Sequence, residues 1–328
     1  MWRNFRTLFQ KDCRMLSSGK YFLVAAGFLL LYTLYVNLGY VRFMQMSMYH
    51  VYLYDPVGIY VDAGNVQRVP SKDALYAALK NDTDGMGLDA ESAQVILYNS
   101  TESMDRYRAD YALSVLQPDD VPAPKIVGHN TPEQKARREI TCELLFFELS
   151  AVGFLGIASV LFKEKSMGVL RLHAVLPFPA DLFLLSKLTV FLFSDLMFAL
   201  LLTLFNVNFT DKSPDLPAIL LQTAVLSLIM SLTGLLCSLL LKDFRQFTLA
   251  YLLIAVFAAT PVFLSANTSV KFDWIRYHPF YHLYMGMKNA YFGTSACPPA
   301  YWIGAACSVA FLFISVRRVL HREMRKDG

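Results

Sequence analysis

The residues that could do chemistry in this sequence are charged side chains placed where charge is expensive. Glu148, Lys187 and Asp195 sit inside long apolar runs. A carboxylate at the centre of a bilayer costs at least about 2.5–3.5 kcal/mol, so Asp195 must face neighbouring helices, a partner or water. Two readings stay open for it: polar lining of a path across the membrane, or a hydrogen bond to Ser, Asn or Tyr on an adjacent helix. Glu148 reads as about one turn inside its run, where a side chain reaches the interface cheaply, so the structural role is favoured there. The other chemistry-bearing stretch is FKEKSMGVLRLHAVLPFPADLFLLSK, with Glu164-Lys165 ahead of Gly168. The spacing predicts a short helix from Gly168 to Leu176, with Val169, Leu172 and Leu176 near one face and Arg171 on another. Leu170 adds to its apolar surface, and Pro177 and Pro179 stop it. Such a helix suits a groove on a partner protein; otherwise it is a connector along the membrane surface.

Several activities are excluded by what those residues are not. A phosphate-binding loop needs GxxxxGK[ST], and the only Gly-Lys pair, Gly19-Lys20, is followed by Tyr21. No GxSxG or HExxH occurs, so the chain is not expected to be an enzyme, and no ATPase motif is present. The five cysteines are scattered without metal or redox spacing, and His278 and His282 have no third ligand nearby. The acidic run Asp82, Asp84, Asp89 and Glu91 lacks the EF-hand spacing and reads as a solvated loop. No metal site and no directly bound cofactor is expected. A net charge of +4 excludes a strongly basic nucleic-acid binder.

The elements that must position these residues are membrane helices. Of the 328 residues, 55% are hydrophobic and only 17% charged, with mean hydropathy +0.39, too little polar surface to coat a soluble fold. Six stretches are long and apolar enough to cross a bilayer: 21–39, 144–162, 182–205, 216–241, 247–265 and 300–317. The first is too long for a signal peptide and lacks a cleavage site, so it is read as a span. Short flanks on one side carry sixteen basic residues and those on the other carry four, which predicts both termini in the cytoplasm. Residues 1–20, with Trp2, Phe5, Leu8 and Phe9 against Arg3, Arg6 and Lys11, read as an amphipathic helix in the inner interface.

The long segment 40–143 is then external and reads as a small α/β domain. Expected strands are VGIYVDAGN and SAQVILYNS, with YALSVLQ and PKIVGHN as further ones. SKDALYAALKN, capped by Ser71, and TESMDRYRAD read as helices, NDTDGMGLD as a loop, and TPEQKARREITCE as a helix entering the second span. Residues 163–181 form the cytoplasmic loop. Residues 266–299, rich in aromatics and broken by Pro279, read as an external interfacial or re-entrant segment, and 318–328 as a cytoplasmic tail.

The loop after the second span resembles that of the permease subunits of the type-2 ABC exporter family. Those proteins carry an acidic-basic pair, Gly-Thr-Leu-Glu, a short apolar helix, a Pro and a Lys entering the next span. Glu164-Lys165, Gly168-Val169-Leu170, Pro177 and Lys187 match in order, with Arg171 where an acid is usual and Val169 for Thr. HPFYHLYMGMKNAYFG is similar to the family's Asn-Pro-Leu-Thr segment, with His278 for Asn. The resemblance implies an α-helical polytopic membrane protein of six spans whose loop is a coupling helix. It also implies an ABC ATPase subunit that holds ATP and Mg, and a second permease copy or paralogue. The location implied is the cell membrane. The alternative function is a membrane-anchored sensor or assembly protein, which would ordinarily carry a cytoplasmic signalling domain, for which the short flanks leave little room.

Overall fold

The computed structural model describes residues 2–41, 50–56, 58, 66–82, 85–92, 94–98, 105–116, 132–170, 172, 179–207, 214–266, 273–293 and 297–326. The chain divides into two compact units, one of residues 1–39 and 130–328 and the other of residues 40–129.

The larger unit holds six helices long and apolar enough to span a membrane. They are Tyr21–Tyr40, Glu133–Ser166, Ala180–Asn206, Leu216–Leu240, Phe244–Leu264 and Pro299–Met324. The fourth span is the hub and packs against the second, third and sixth. Its closeness to the second depends on Gly234: a Cβ there would lie 2.9 Å from the Phe154 carbonyl oxygen and from Ile157 Cγ2. Small residues allow helices to approach where lipid supplies no hydrophobic drive to pack them. The second span is interrupted by a π-helical turn at Glu148–Gly153, and the fifth contains Pro261. Leu16, Leu170, Leu239, Val316 and Leu320 share one core cluster. Both termini, the loop after the second span and the end of the fourth span therefore lie at one end of the bundle.

The helix Trp2–Ser18 precedes the first span and is amphipathic. Its buried face does not simply meet lipid. Leu8 and Leu16 are buried, the helix packs along the third span, and Asp12 is buried between those leucines. Lys11, read from sequence as part of the polar face, belongs to the same buried contact.

The helix Pro279–Phe292 is driven into the bundle by its aromatic and apolar face. Leu283, Tyr284, Met287 and Tyr291 are buried in the main core. Gly286 permits this, because Gln222 of the fourth span lies 3.0 Å from where its Cβ would be. His278 is buried against the Phe257 ring, centroids 4.2 Å apart, and that desolvation lowers its pKa.

The smaller unit is a four-stranded mixed sheet in the order β2-β1-β3-β4, with β1 Val51–Tyr54, β2 Val66–Arg68, β3 Met86–Asp89 and β4 Gln94–Leu97. β1 runs parallel to β2 and β3, and β3 is antiparallel to β4. Val51, Leu53, Met86 and Leu88 alternate to one face with Ala112 of the helix Asp105–Leu116. On the other face, the helix Lys72–Asn81 presses Leu79 Cδ1 to 2.7 Å from the position of a Gly87 Cβ. The Ser71 hydroxyl caps that helix by accepting from the Ala74 N–H at 3.1 Å.

Two sequence expectations are corrected here, and one strand is added. The run NDTDGMGLD is not all loop, since Met86–Asp89 is a central strand. Its glycine, which reads as a breaker, is what lets Leu79 close on the sheet. YALSVLQ is not a strand, because Tyr111 to Leu116 continue a helix. VYLY, unassigned from sequence, forms β1. VGIYVDAGN falls almost wholly, and PKIVGHN wholly, outside the described residues.

Candidate functional site

The densest polar construction lies at the terminus-bearing end, where three helices bring charge to one point. The helix Trp2–Ser18 supplies Lys11 and Asp12, the second span supplies Glu164 in its last turns, and the third supplies Ser186 and Lys187 near its start. Lys187 Nζ lies 2.6 Å from Glu164 Oε2 and 3.2 Å from Asp12 Oδ1. Lys11 Nζ donates to Glu164 Oε1 at 2.9 Å, and Ser186 Oγ donates to Asp12 Oδ2 at 2.6 Å. The Phe183 ring faces both ammonium groups, with its centroid 4.6 Å from Lys187 Nζ and 5.6 Å from Lys11 Nζ.

Two cations and two anions cancel, which is the condition for burying them at all. Glu164 is 0% exposed and Lys187 1% exposed. Burial opposes the Lys11 charge, but Glu164 and then Asp12 outweigh it and hold its pKa above the ordinary lysine value.

Lys165, the next residue, points elsewhere and donates from Nζ to the Leu241 carbonyl at 3.1 Å. It thereby satisfies a carbonyl at the end of the fourth span that the helix cannot. The acidic-basic pair is therefore an internal brace: Glu164 ties the second span to the N-terminal helix and third span, and Lys165 ties it to the fourth.

The loop begins where this brace ends. Gly168 adopts φ +72°, a left-handed conformation that suits glycine, and its N–H donates to the Lys165 carbonyl at 3.1 Å. Chain direction changes there. Val169 is half-buried, Leu170 is 7% exposed and packed into the core, and Leu172 is 64% exposed. Of the apolar residues read as one docking surface, Leu170 thus faces inward and Leu172 outward. Arg171, Leu176 and Pro177 lie outside the described residues.

Sequence reasoning missed Lys11, Asp12 and Ser186 as partners. One signal was available, because Asp12 falls at i+4 between Leu8 and Leu16, on the apolar stripe of its helix. An acid on a buried stripe demands a cation.

A second polar construction lies at mid-bundle. Asp195 accepts from Ser227 Oγ at 2.5 Å across to the fourth span. Glu148 accepts from Tyr32 Oη of the first span at 2.9 Å. Both carboxylates are buried. Glu148 does not reach outward from the bundle: it is 6% exposed and turned inward onto the Tyr32 hydroxyl. The π-helical turn that begins at Glu148 ends at Gly153, whose absent Cβ would lie 3.5 Å from Asp195 Oδ2. The irregular turn thus carries one carboxylate and ends beside the other, and each is met by a hydroxyl donor, as buried polar groups in a membrane require.

The opposite end is held by Lys288 Nζ on Glu139 Oε1 at 2.6 Å and by Arg137 Nη1 donating to Asn37 Oδ1 at 2.7 Å. Among the described residues no cluster of metal-ligating side chains is present. No curated protein and no solved structure matches the chain significantly. The family model described as ABC-2 family transporter protein matches residues 60–317. That stretch contains the second to fifth spans whole, most of the sixth, and both polar constructions' second, third and fourth span contributions, so the chain belongs to the ABC-2 family of transporters and is its membrane-embedded permease component.

Proposed function

We propose that this permease is the membrane-spanning subunit of an exporter driven by a separate ABC ATPase, which binds ATP and Mg and docks at the terminus-bearing end. The observation that carries the reading is the pairing of an exposed leucine with a braced root. Leu172 is exposed just beyond Gly168, while Glu164 and Lys165, a turn earlier, are fixed to three other helices. A push on the loop would reach the N-terminal helix and the second, third and fourth spans together.

The same reading places a second permease copy or paralogue beside this one. It also assigns the terminus-bearing end to the cytoplasm, in keeping with the basic residues concentrated there. Asp195 and Glu148, at mid-depth, are the residues proposed to border the translocation path.

The test is affinity purification of the full chain from its native membrane in mild detergent. A phosphate-binding-loop ATPase should co-purify in fixed ratio, and its hydrolysis should depend on the permease. Inverted vesicles holding the complex should take up cargo on addition of ATP, and right-side-out vesicles should not. Absence of the ATPase would overturn the partner assignment, and uptake by right-side-out vesicles would overturn the direction.

A further inference from the structure

At the terminus-bearing end a basic pocket adjoins an apolar cleft. The pocket, about 570 Å³, is lined by Lys163, Lys165, Lys242, Asp243 and Ser166. The cleft, about 580 Å³, lies among the first, second and fifth spans and is lined by Val24, Phe28, Leu155, Val160 and Tyr251. The two share Ser159, Lys163 and Phe244 as lining residues, so they adjoin along that edge as two compartments of one recess. Ser159, Lys163, Phe244 and Val24 are exposed, which leaves the recess open on its outer wall.

The charges in the pocket are not spent internally. Lys165 donates to one carbonyl, and an ammonium has three donors. Among the described residues no carboxylate lies within ion-pair distance of Lys163 or Lys242. Three lysines against one aspartate leave the pocket cationic.

We propose that this recess binds an anionic glycerophospholipid of the surrounding bilayer. Its phosphate would sit among Lys163, Lys165 and Lys242, and an acyl chain would lie along Val24, Phe28 and Val160. The order of the two compartments argues for a lipid. The lysines stand at the end of the second span and the turn into the fifth, at headgroup level. The cleft continues from them to membrane depth, where Val24 and Phe28 lie one and two turns into the first span. A soluble anion would use only the pocket, and a neutral lipid only the cleft. This proposal stands apart from the direction of transport and from the identity of the ATPase.

The test is native mass spectrometry of the full chain in neutral detergent, titrated separately with three probes. They are phosphatidylglycerol, phosphatidylcholine of the same acyl chains, and glycerol 3-phosphate. Phosphatidylglycerol should bind tightest. Lys163→Gln with Lys242→Gln should weaken it about thirtyfold, toward the phosphatidylcholine value. Lys163→Arg with Lys242→Arg should retain it, which separates charge from misfolding. Ser159→Trp, at the junction of the two compartments, should displace it. Equal binding of the two phospholipids would overturn the proposal, as would glycerol 3-phosphate binding as tightly as phosphatidylglycerol. If the glutamine double variant keeps its lipid but loses the ATPase subunit, the lysines are a protein-docking face and the lipid assignment falls.

Discussion

Lys187 Nζ and Glu164 Oε2 meet at 2.6 Å with both side chains about 1% exposed, one at the start of the third span and one at the end of the second. Neither charge has water to fall back on, so each depends on its partners in the cluster, Lys187 on Glu164 and Asp12 and Glu164 on Lys187 and Lys11. Breaking a buried pair from one side leaves an uncompensated charge and costs about 3–5 kcal/mol, while replacing both partners by apolar groups is often neutral. Lys187→Met should therefore lower the unfolding temperature in detergent strongly. Adding Glu164→Leu should recover much of the loss, because Lys11 and Asp12 still face each other at 3.5 Å. A double variant as unstable as the sum of its parts would mean that the pair is not coupled.

The contact at Gly234 makes a second prediction, with its control in the same molecule. Alanine is worth about 1 kcal/mol more than glycine in a helix interior. At Gly304 an added Cβ meets nothing within 4 Å, so Gly304→Ala should be neutral or slightly stabilising. At Gly234 the same methyl would lie 2.9 Å from the Phe154 carbonyl oxygen, a backbone atom that cannot rotate away. Overpacking of that kind costs about 1–3 kcal/mol. Thermal unfolding of the two variants side by side decides it: equal stability would show that the second and fourth spans can separate without cost.

These two sites show what the sequence could and could not disclose. Span number and the unusual depth of Asp195 were legible because hydrocarbon imposes a length and a polarity rule on every residue within it. The partner of Lys187 was not legible, since Asp12 is 175 residues away and pairing across helices has no local signature. The inward turn of Glu148 was not legible either, because its donor Tyr32 is 116 residues away on the first span. β3 was missed for the opposite reason. Its Gly87 is a local breaker, and the Leu79 contact that requires it is tertiary.

In the smaller unit, Lys72 Nζ lies 2.9 Å from both Asp89 Oδ2 and Glu91 Oε2. Partial burial works against the Asp89 charge, but Lys72, Ser92 and the Glu91 N–H outweigh it and hold its pKa below the ordinary 3.8. A carboxylate with a depressed folded pKa contributes stability that is present above the unfolded value and is lost as pH falls through the folded one. Protection of the helix Lys72–Asn81 from hydrogen exchange should therefore hold at neutral pH and fall below about pH 4. Lys72→Met should move that fall to higher pH. An unshifted profile in the variant would assign the acid sensitivity to other groups.

Asp195 separates a path-lining role from a purely structural one. Its Oδ2 accepts from Ser227 Oγ at 2.5 Å, an interaction that asparagine's carbonyl oxygen can also accept without charge. Asp195→Asn should then preserve folding and assembly while changing transport. Asp195→Leu removes the acceptor, leaves the Ser227 hydroxyl unmet, and should cost about 1–3 kcal/mol. If the asparagine variant transports every tested cargo at the normal rate, the carboxylate serves packing and the path lies elsewhere.

Leu170 and Leu172 are two residues apart and face opposite ways, which allows docking to be separated from folding. Leu170 is 7% exposed within the core cluster shared by Leu16 and Leu320, and Leu172 is 64% exposed. Leu170→Asp places an unpaired charge in that core and should destabilise the permease itself, with or without an ATPase present. Leu172→Asp adds a charge to a solvated position and should leave the isolated permease as stable as before. If Leu172 fills a groove on the ATPase, its burial there contributes about 1.5–3 kcal/mol, so the aspartate variant should co-purify about tenfold or more less ATPase. Gly168→Ala offers a third arm, because alanine is strained at φ +72° and should misdirect the loop while leaving Leu172 intact. Retention of the full complement of ATPase by Leu172→Asp, with unaltered hydrolysis, would show that the partner grips the permease through other residues.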